Sequence, residues 1–123
     1  MTGVQTCALP ILECIDVAKK EQEAAARPQI KETLKDIAQY DTIYIGFPNW
    51  WGTLPMAMWT QLEQLDFNGK YVKAFVTHEG SGFGKSEKDL KKLCKGANIK
   101  KGLSIPGAEV NEFKQRVEMW VDE

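Results

Sequence analysis

Residues 40–55, YDTIYIGFPNWWGTLP, decide how the chain folds. Thr42–Phe47 is nearly all apolar or β-branched, which is typical of a parallel β-strand covered on both faces. Pro48 ends the strand because it lacks the backbone donor that a strand ladder needs. A turn-rich segment with two adjacent tryptophans follows, and Pro55 then stands where the first turn of a helix tolerates proline. We therefore predict a buried strand, a stiff loop and a helix, in that order.

The chain on either side of this stretch continues the alternation. Tyr71–Val76 is a second apolar run, followed by the loop Thr77–Lys85 and by a helix that Ser86 is predicted to cap in a box with Asp89. A third strand, Ile99–Ile105, contains lysines and a glycine that suit the edge of a sheet. Apolar residues at helical spacing predict one helix after Pro28 (Ile30, Leu34, Ile37, Ala38), one after Pro55 (Met58, Trp59, Leu62, Leu65) and one at the end of the chain (Val110, Phe113, Val117, Trp120, Val121). This order predicts an α/β domain with a parallel sheet.

Composition narrows the class of protein. The 123 residues suffice for one domain, and the 43% hydrophobic and 27% charged contents are those of a globular chain. A net charge of −1 disfavours a broad nucleic-acid surface, and no apolar run is long enough to span a membrane, so we expect a cytoplasmic protein without nucleic-acid or membrane partners. The three cysteines, Cys7, Cys14 and Cys94, are widely spaced, which predicts reduced thiols and no zinc site.

The first eleven residues, Met1–Ile11, have neither helical nor strand periodicity. They resemble the translation of a common sequencing-library adapter, so we interpret residues 1–11 as an assembly artefact fused to a gene fragment. We exclude them from the interpretation of the fold. The remaining residues, 12–123, are then expected to form a single domain whose natural start lies upstream.

Ligands of open parallel sheets bind beyond the carboxyl ends of the strands, so the loops after Phe47 and Val76 are the candidate site. In the first loop, Trp50 and Trp51 give a flat apolar surface that suits stacking on a planar ring, although both could instead cap the core. The second loop has glycines in residues 80–84, which lets backbone N–H groups approach a ligand; alternatively it is a mobile turn.

Two other motifs in the second loop do not meet the requirements of the sites that they resemble. Gly80–Ser86 ends like a phosphate-binding P-loop, but Glu79 stands where that motif needs its first glycine. His78 and Glu79 do not form a zinc motif, because the chain contains no second histidine. We favour an exposed loop position for His78.

Residues 40–55 together with THEGSG at residues 77–82 resemble the flavodoxin family, in its bacterial branch with a P-x-W-W loop. The similarity runs from about Ala26 to the C-terminus. It implies a three-layer α/β/α fold and the cofactor FMN. By this resemblance the isoalloxazine ring is flanked by the first loop, with an indole stacked on it, while backbone groups of the second line its pyrimidine edge. The implied cofactor-binding residues are Pro48, Asn49, Trp50, Trp51, Gly52 and Thr53 in the first loop and Thr77, His78, Glu79, Gly80, Ser81 and Gly82 in the second.

The chain also departs from the family pattern. Flavodoxins hold the FMN phosphate in a loop after their first strand, and no segment here matches that loop. In the strand order 2-1-3-4-5 of this fold, the three predicted strands correspond to the third, fourth and fifth. We therefore expect a chain that lacks the first two strands and the first helix, with Thr42–Phe47 at a sheet edge. Loss of phosphate hydrogen bonds should weaken FMN binding by on the order of 10³-fold, and the chain should be poorly stable.

Three functions remain open at this stage. The leading hypothesis is an FMN-dependent electron carrier that serves redox partner proteins. The second is an NAD(P)H:quinone reductase of the same fold, which would need a further substrate pocket over the flavin. The third is a protein-binding module without flavin, in which Trp50, Trp51 and Trp59 contact a partner.

Overall fold

The computed structural model describes residues 11–31 and 33–123. Strands and helices alternate along the chain. In order they are α1 (Ile11–Glu23), β1 (Thr42–Pro48), α2 (Met56–Leu62), β2 (Tyr71–His78), α3 (Ser86–Leu93), β3 (Asn98–Ile99), β4 (Leu103–Pro106), a 3-10 helix (Gly107–Glu112) and α4 (Lys114–Asp122). Residues 1–10 of the suspected artefact lie outside the described residues, and Ile11 begins α1.

The strands form one parallel sheet with β2 at its centre. β1 pairs with β2 from Thr42 opposite Tyr71 to Pro48 opposite Thr77. On the other side, β3 pairs with the start of β2 and β4 with its end. The predicted third strand is thus divided in two. Between the halves, a Cβ on Gly102 would lie 2.5 Å from the ring of Phe83 and 3.0 Å from the carbonyl oxygen of Ala74, so the backbone is packed closely there.

Helices cover both faces of the sheet, which confirms the α/β class. On one face, Ile45, Phe47 and Val76 pack with residues of α2 and α3 in the larger apolar core. On the other face, Leu103 and Ile105 pack with Phe113 and Trp120 at the last helix. The described helices do not include one with both the length and the apolar character that a membrane crossing needs.

Strand β1 is less well covered than its sequence predicts. Its pairing partner within the described residues is β2 alone, which agrees with the predicted edge position. Tyr44 points away from the larger core and is 45% exposed, with its ring edge-to-face against Trp120. The expectation that both faces are covered is therefore wrong for Tyr44, because Trp120 packs on Leu103 and Ile105 of β4 and on Phe75 of β2 and reaches Tyr44 only at the ring edge.

The helix predicted after Pro28 does not form in the described part of that segment. Instead α1 lies earlier in the chain, and Ala25, with a positive φ of 49°, follows its end. The segment crosses α2 in irregular conformation: Gln61 hydrogen-bonds both the N–H and the carbonyl of Leu34, and Thr60 Oγ1 donates to the carbonyl of Pro28. Side chains of α2 thus bind backbone groups that a helix would have paired internally.

Two local predictions are also wrong. Ser86 is the first residue of α3 rather than its cap, and its buried hydroxyl makes no hydrogen bond to a described residue. Asp89 accepts a hydrogen bond from Thr53 Oγ1 instead of closing a capping box. Cys14 is disulfide-bonded, so the prediction of reduced thiols fails for this residue.

The packing of Gly46 gives a first prediction. A Cβ at this position would lie 2.1 Å from the ring of Phe75 on the neighbouring strand. We expect Gly46→Ala to lower the free energy of unfolding by about 1–3 kcal/mol, because the ring must leave its place. Urea denaturation measures this loss, and Phe75→Leu in the same chain should restore part of it. Equal losses with and without Phe75→Leu would show that the ring is not the cause.

Candidate functional site

The two predicted loops lie side by side because they follow the carboxyl ends of adjacent parallel strands. We define the tryptophan loop as residues 49–55, between β1 and α2, and the glycine loop as residues 79–85, between β2 and α3. Pro48 is the last residue of β1 and is opposite Thr77. Thr77 and His78 belong to β2, so the second predicted loop begins two residues later than the sequence indicates.

The tryptophan loop contains a tight turn. Trp50 and Thr53 exchange two backbone hydrogen bonds of 2.9 and 3.3 Å. Between them, Trp51 and Gly52 have positive φ angles of 53° and 88°, the signs found at the centre of a type I′ turn. A bulky residue rarely adopts a positive φ, and such residues persist where the surroundings hold them in place.

Asn49 joins the two loops. Its backbone N–H donates to the carbonyl of Thr77 at 2.8 Å, which continues the pairing of β1 with β2. Its side-chain Nδ2 donates to the carbonyl of Gly82 at 2.8 Å, and its Oδ1 accepts from the N–H of Gly52 at 2.8 Å. One half-buried amide therefore fixes both the turn and its distance from the glycine loop.

Two further contacts tie the tryptophan loop to the start of α3. The N–H of Lys85 donates to the carbonyl of Gly52 at 2.6 Å. Gly84 allows this approach, since a Cβ there would lie 2.5 Å from the same oxygen. Thr53 Oγ1 donates to the carboxylate of Asp89, and both residues are buried.

Helix α1 holds Trp51 from the outer side. The indole Nε1–H donates to the carbonyl of Ile15 at 3.0 Å, and Gln22 Nε2 donates to the carbonyl of Trp51 at 2.9 Å. Lys19 Nζ lies 5.0 Å from the centroid of the indole ring, and Trp51 remains 46% exposed. Trp50 is half-buried. The two indoles thus differ in their contacts. The indole of Trp51 contacts α1. Trp50 lies at the end of the turn that its backbone hydrogen bonds with Thr53 close.

The glycine loop presents open backbone. Gly80 and Gly82 have positive φ angles of 129° and 60°, and a Cβ on either would meet nothing within 4 Å. Ser81 is exposed. This open backbone and the half-exposed indole of the neighbouring loop fit a planar aromatic ligand with polar edges, because an indole can stack on the ring while N–H groups other than that of Gly80 can reach its edge.

His78 and Glu79 contact other parts of the chain. His78 Nδ1 accepts a hydrogen bond of 2.9 Å from the N–H of Gly80, and the side chain is half-buried rather than fully exposed as we favoured. The Glu79 carboxylate lies against Gly107, where a Cβ would be 2.4 Å from Oε1. These contacts fix the start of the glycine loop. Neither of them brings its side chain into contact with Trp50 or Trp51.

The site is an open surface beside two clefts. A cleft of about 380 Å³ is lined by Thr53, Trp59, Lys85, Asp89 and residues at the end of α1, and one of about 560 Å³ lies between α2 and α3. Of the twelve predicted site residues, Thr53 alone lines either cleft. Within residues 11–31 and 33–123, no cluster of three or more His, Cys, Asp or Glu side chains is arranged to hold a metal ion.

Cys94 does not contribute chemistry to this site. It is buried in the larger core, and burial raises the pKa of its thiol from 9.0 to about 12. The raised pKa keeps the thiol protonated at neutral pH, so it is neither a nucleophile nor a metal ligand there.

Sequence reasoning missed the residues that support the loops. The sequence pattern places Asp89 in a helix capping box with Ser86. Gln22 lies in a polar segment without any distinguishing pattern. Neither contact has a sequence signal, because each joins positions about thirty residues apart. The sequence does not distinguish Gly84 from the other glycines of the loop, although Gly84 is the one at which an added Cβ would meet Gly52.

With this geometry in view, comparison with known proteins establishes the family. The sequence matches the flavodoxin family over residues 16–123, so the chain belongs to that family. No curated protein matches the chain.

Solved structures of flavoproteins share the fold. A flavoprotein from Bacteroides uniformis is 37% identical, with a TM-score of 0.70 over 83% of this chain and 66% of that one. A flavoprotein from Bacteroides eggerthii is 29% identical, with a TM-score of 0.64 over 83% and 67%. A flavoprotein from Lactobacillus acidophilus in complex with FMN is 23% identical, with a TM-score of 0.57 over 84% and 69%. The chain thus spans about two thirds of the length of each of these structures.

The role of Asn49 yields a second prediction. We expect Asn49→Ala to lower the free energy of unfolding by about 1–3 kcal/mol, because the variant loses two half-buried hydrogen bonds. The amide hydrogen of Gly52 should also exchange faster, since its acceptor is gone. Urea denaturation and hydrogen exchange measure the two effects.

The matched control is Asn111→Ala, at an exposed position in the 3-10 helix, which should change neither quantity. Unchanged exchange at Gly52 in the Asn49 variant would contradict the proposed link between the loops.

Proposed function

We propose that this member of the flavodoxin family is an FMN-binding electron carrier whose flavin ring lies between the tryptophan loop and the glycine loop. One observation carries the proposal: the Asn49 amide fixes the indole-bearing turn beside open glycine backbone. Family membership and the 37% identity to a flavoprotein support flavin as the ligand. The structure from Lactobacillus acidophilus, which contains FMN, has the same fold.

Bound FMN would supply the redox chemistry, since its isoalloxazine ring accepts and donates electrons. The chain would contribute stacking from an indole of Trp50 or Trp51 and hydrogen bonds from the backbone N–H groups of Ser81 and Gly82, since that of Gly80 is donated to His78 Nδ1. These loops already have their conformation, so binding would not require ordering them. Preorganised loops reduce the entropy that a ligand must overcome.

The exposure of the loops supports a carrier over an enzyme with an enclosed pocket. Gly80 and Ser81 are exposed, and Trp51 is 46% exposed. A flavin ring held between the two loops would therefore keep an edge open to solvent. A redox partner protein could approach that edge directly, which is the requirement for electron transfer between proteins.

Replacement of the tryptophans tests the flavin site. Stacking on an indole should quench the fluorescence of FMN during titration with the chain. We expect Trp50→Ala or Trp51→Ala to weaken FMN binding by roughly tenfold or more, because stacking of an aromatic ring contributes about 1–3 kcal/mol. Trp59→Phe, on α2, is the control and should leave the affinity unchanged.

Circular-dichroism melts of the three variants separate loss of stacking from loss of folding. If neither tryptophan variant weakens FMN binding while all three remain folded, the flavin proposal is wrong. The tryptophans would then be better explained as a surface for a protein partner.

A second experiment distinguishes a carrier from a quinone reductase. We expect the FMN-loaded chain to oxidise NADPH in the presence of a quinone only when a separate flavodoxin reductase is added. Absorbance at the NADPH band measures the rate. Steady NADPH consumption by the loaded chain alone, above that of free FMN, would favour the reductase.

A further inference from the structure

Positive charge is concentrated in one segment of the chain. Residues 85–101 contain seven lysines and two acidic residues, a net charge of +5. The other 106 residues contain nine basic and fifteen acidic residues, a net charge of −6. The overall charge of −1 therefore conceals a local concentration of positive charge.

The structure places most of these lysines on one exposed surface. Helix α3 buries Ser86, Asp89, Leu90 and Leu93 against the larger core. Its opposite side, with the residues at its two ends, carries five exposed lysines, which we call the lysine surface: Lys85, Lys88, Lys91, Lys92 and Lys95. The one ion pair found in residues 11–31 and 33–123 joins Arg27 to Glu63, so none of these lysines forms an ion pair with a described carboxylate.

Helix stability explains only part of this arrangement. Lys91 and Lys92 lie in the last turn of α3, where cations favour the helix dipole. Lys85 precedes the first residue of α3 and Lys88 lies in its first turn, where a positive charge is unfavourable. Glu87 and Asp89 in the same turn supply the acidic charge that the dipole favours. Because Asp89 is buried, the exposed side of the helix carries lysines along its whole length, with Glu87 as its one acidic residue.

The lysine surface begins at the candidate site. The N–H of Lys85 donates to the carbonyl of Gly52 in the tryptophan loop. The side chains of Lys85 and Lys92 line the same cleft as Thr53, and Lys92 and Lys95 line the cleft between α2 and α3. A partner bound along α3 would therefore lie next to the two loops.

We propose that the lysine surface docks an acidic protein. The inference rests on the proposed function, under which that protein is the redox partner of the carrier. Complementary charges accelerate the encounter of two proteins and orient them. Here the positive charge on α3 would turn that helix, and the loops next to it, toward a negatively charged partner.

A nucleic acid is the less favoured occupant of the same surface. The five residues of the lysine surface offer no ring on which a base could stack. Arg27 and Trp59 line the adjoining cleft, but the Arg27 guanidinium lies over the Trp59 ring and pairs with Glu63.

The test compares two sets of four lysines. In the first variant, Lys88, Lys91, Lys92 and Lys95 are changed to Gln. In the control, four exposed lysines outside the segment, Lys20, Lys31, Lys35 and Lys114, are changed to Gln, which alters the net charge equally. The probes are a fluorescent poly-L-glutamate peptide and an oligothymidylate of equal charge, and fluorescence anisotropy is measured at increasing salt.

We expect the unmodified chain to bind polyglutamate in a salt-sensitive manner. The first variant should lose at least about tenfold in affinity, because each exposed charge contact contributes modestly and four are removed. The control should lose less than about twofold. Equal losses in both variants would overturn the proposal, and tighter binding of oligothymidylate than of polyglutamate would favour a nucleic acid.

The FMN titration keeps this proposal separate from the flavin proposal. Both lysine variants should quench FMN as the unmodified chain does, because the side chains that they change are not those that contact the ring. Polyglutamate binding is measured without flavin, so it stands or fails independently of FMN binding.

Discussion

The side-chain amide of Asn49 is the interaction on which the candidate site depends. Parallel pairing of β1 with β2 brings two loops to the same edge of the sheet, but it leaves their separation undetermined. The amide determines it, because Nδ2 donates to Gly82 and Oδ1 accepts from Gly52. No aliphatic side chain could replace it, since the position must donate to one loop and accept from the other. Contacts from α1 to Trp51 and from Lys85 to Gly52 then add to this bridge.

The sequence predicts the parts of the fold that depend on local composition. The apolar runs at Thr42–Phe47 and Tyr71–Val76 become β1 and β2, and both candidate loops follow them as expected. Predictions from helical spacing fail where other side chains compete for the backbone. Leu34 has the spacing for a helix, yet Gln61 binds both of its backbone groups. No property of residues 28–38 alone contains that information, because the competing amide lies on α2.

The sequence predicts the candidate site to the same extent as it predicts the fold. Adjacent tryptophans and clustered glycines are visible in the sequence, and both loops lie at the expected edge of the sheet. The partners that hold them are not visible. Asp89 accepts from Thr53 across 36 positions, and the carbonyl of Ile15 accepts from the indole of Trp51 across the same separation. Such contacts depend on the folded arrangement of α1 and α3, so only the structure reveals them.

The direction of these contacts decides how the site relates to the edge of the sheet. Within the described residues β1 pairs on one side only, and Tyr44 on it is half-exposed. The hydrogen bonds of the tryptophan loop to the sheet and to α3 point away from this edge. Asn49 bonds Thr77 on β2, and Gly52 and Thr53 bond residues at the start of α3. The tryptophan loop is therefore anchored to β2, which has pairing partners on both sides. Disturbance at the outer edge of β1 would reach the tryptophans through β1, whose register with β2 extends over seven residue pairs up to Pro48, or through α1, which contacts Trp51 from the outer side.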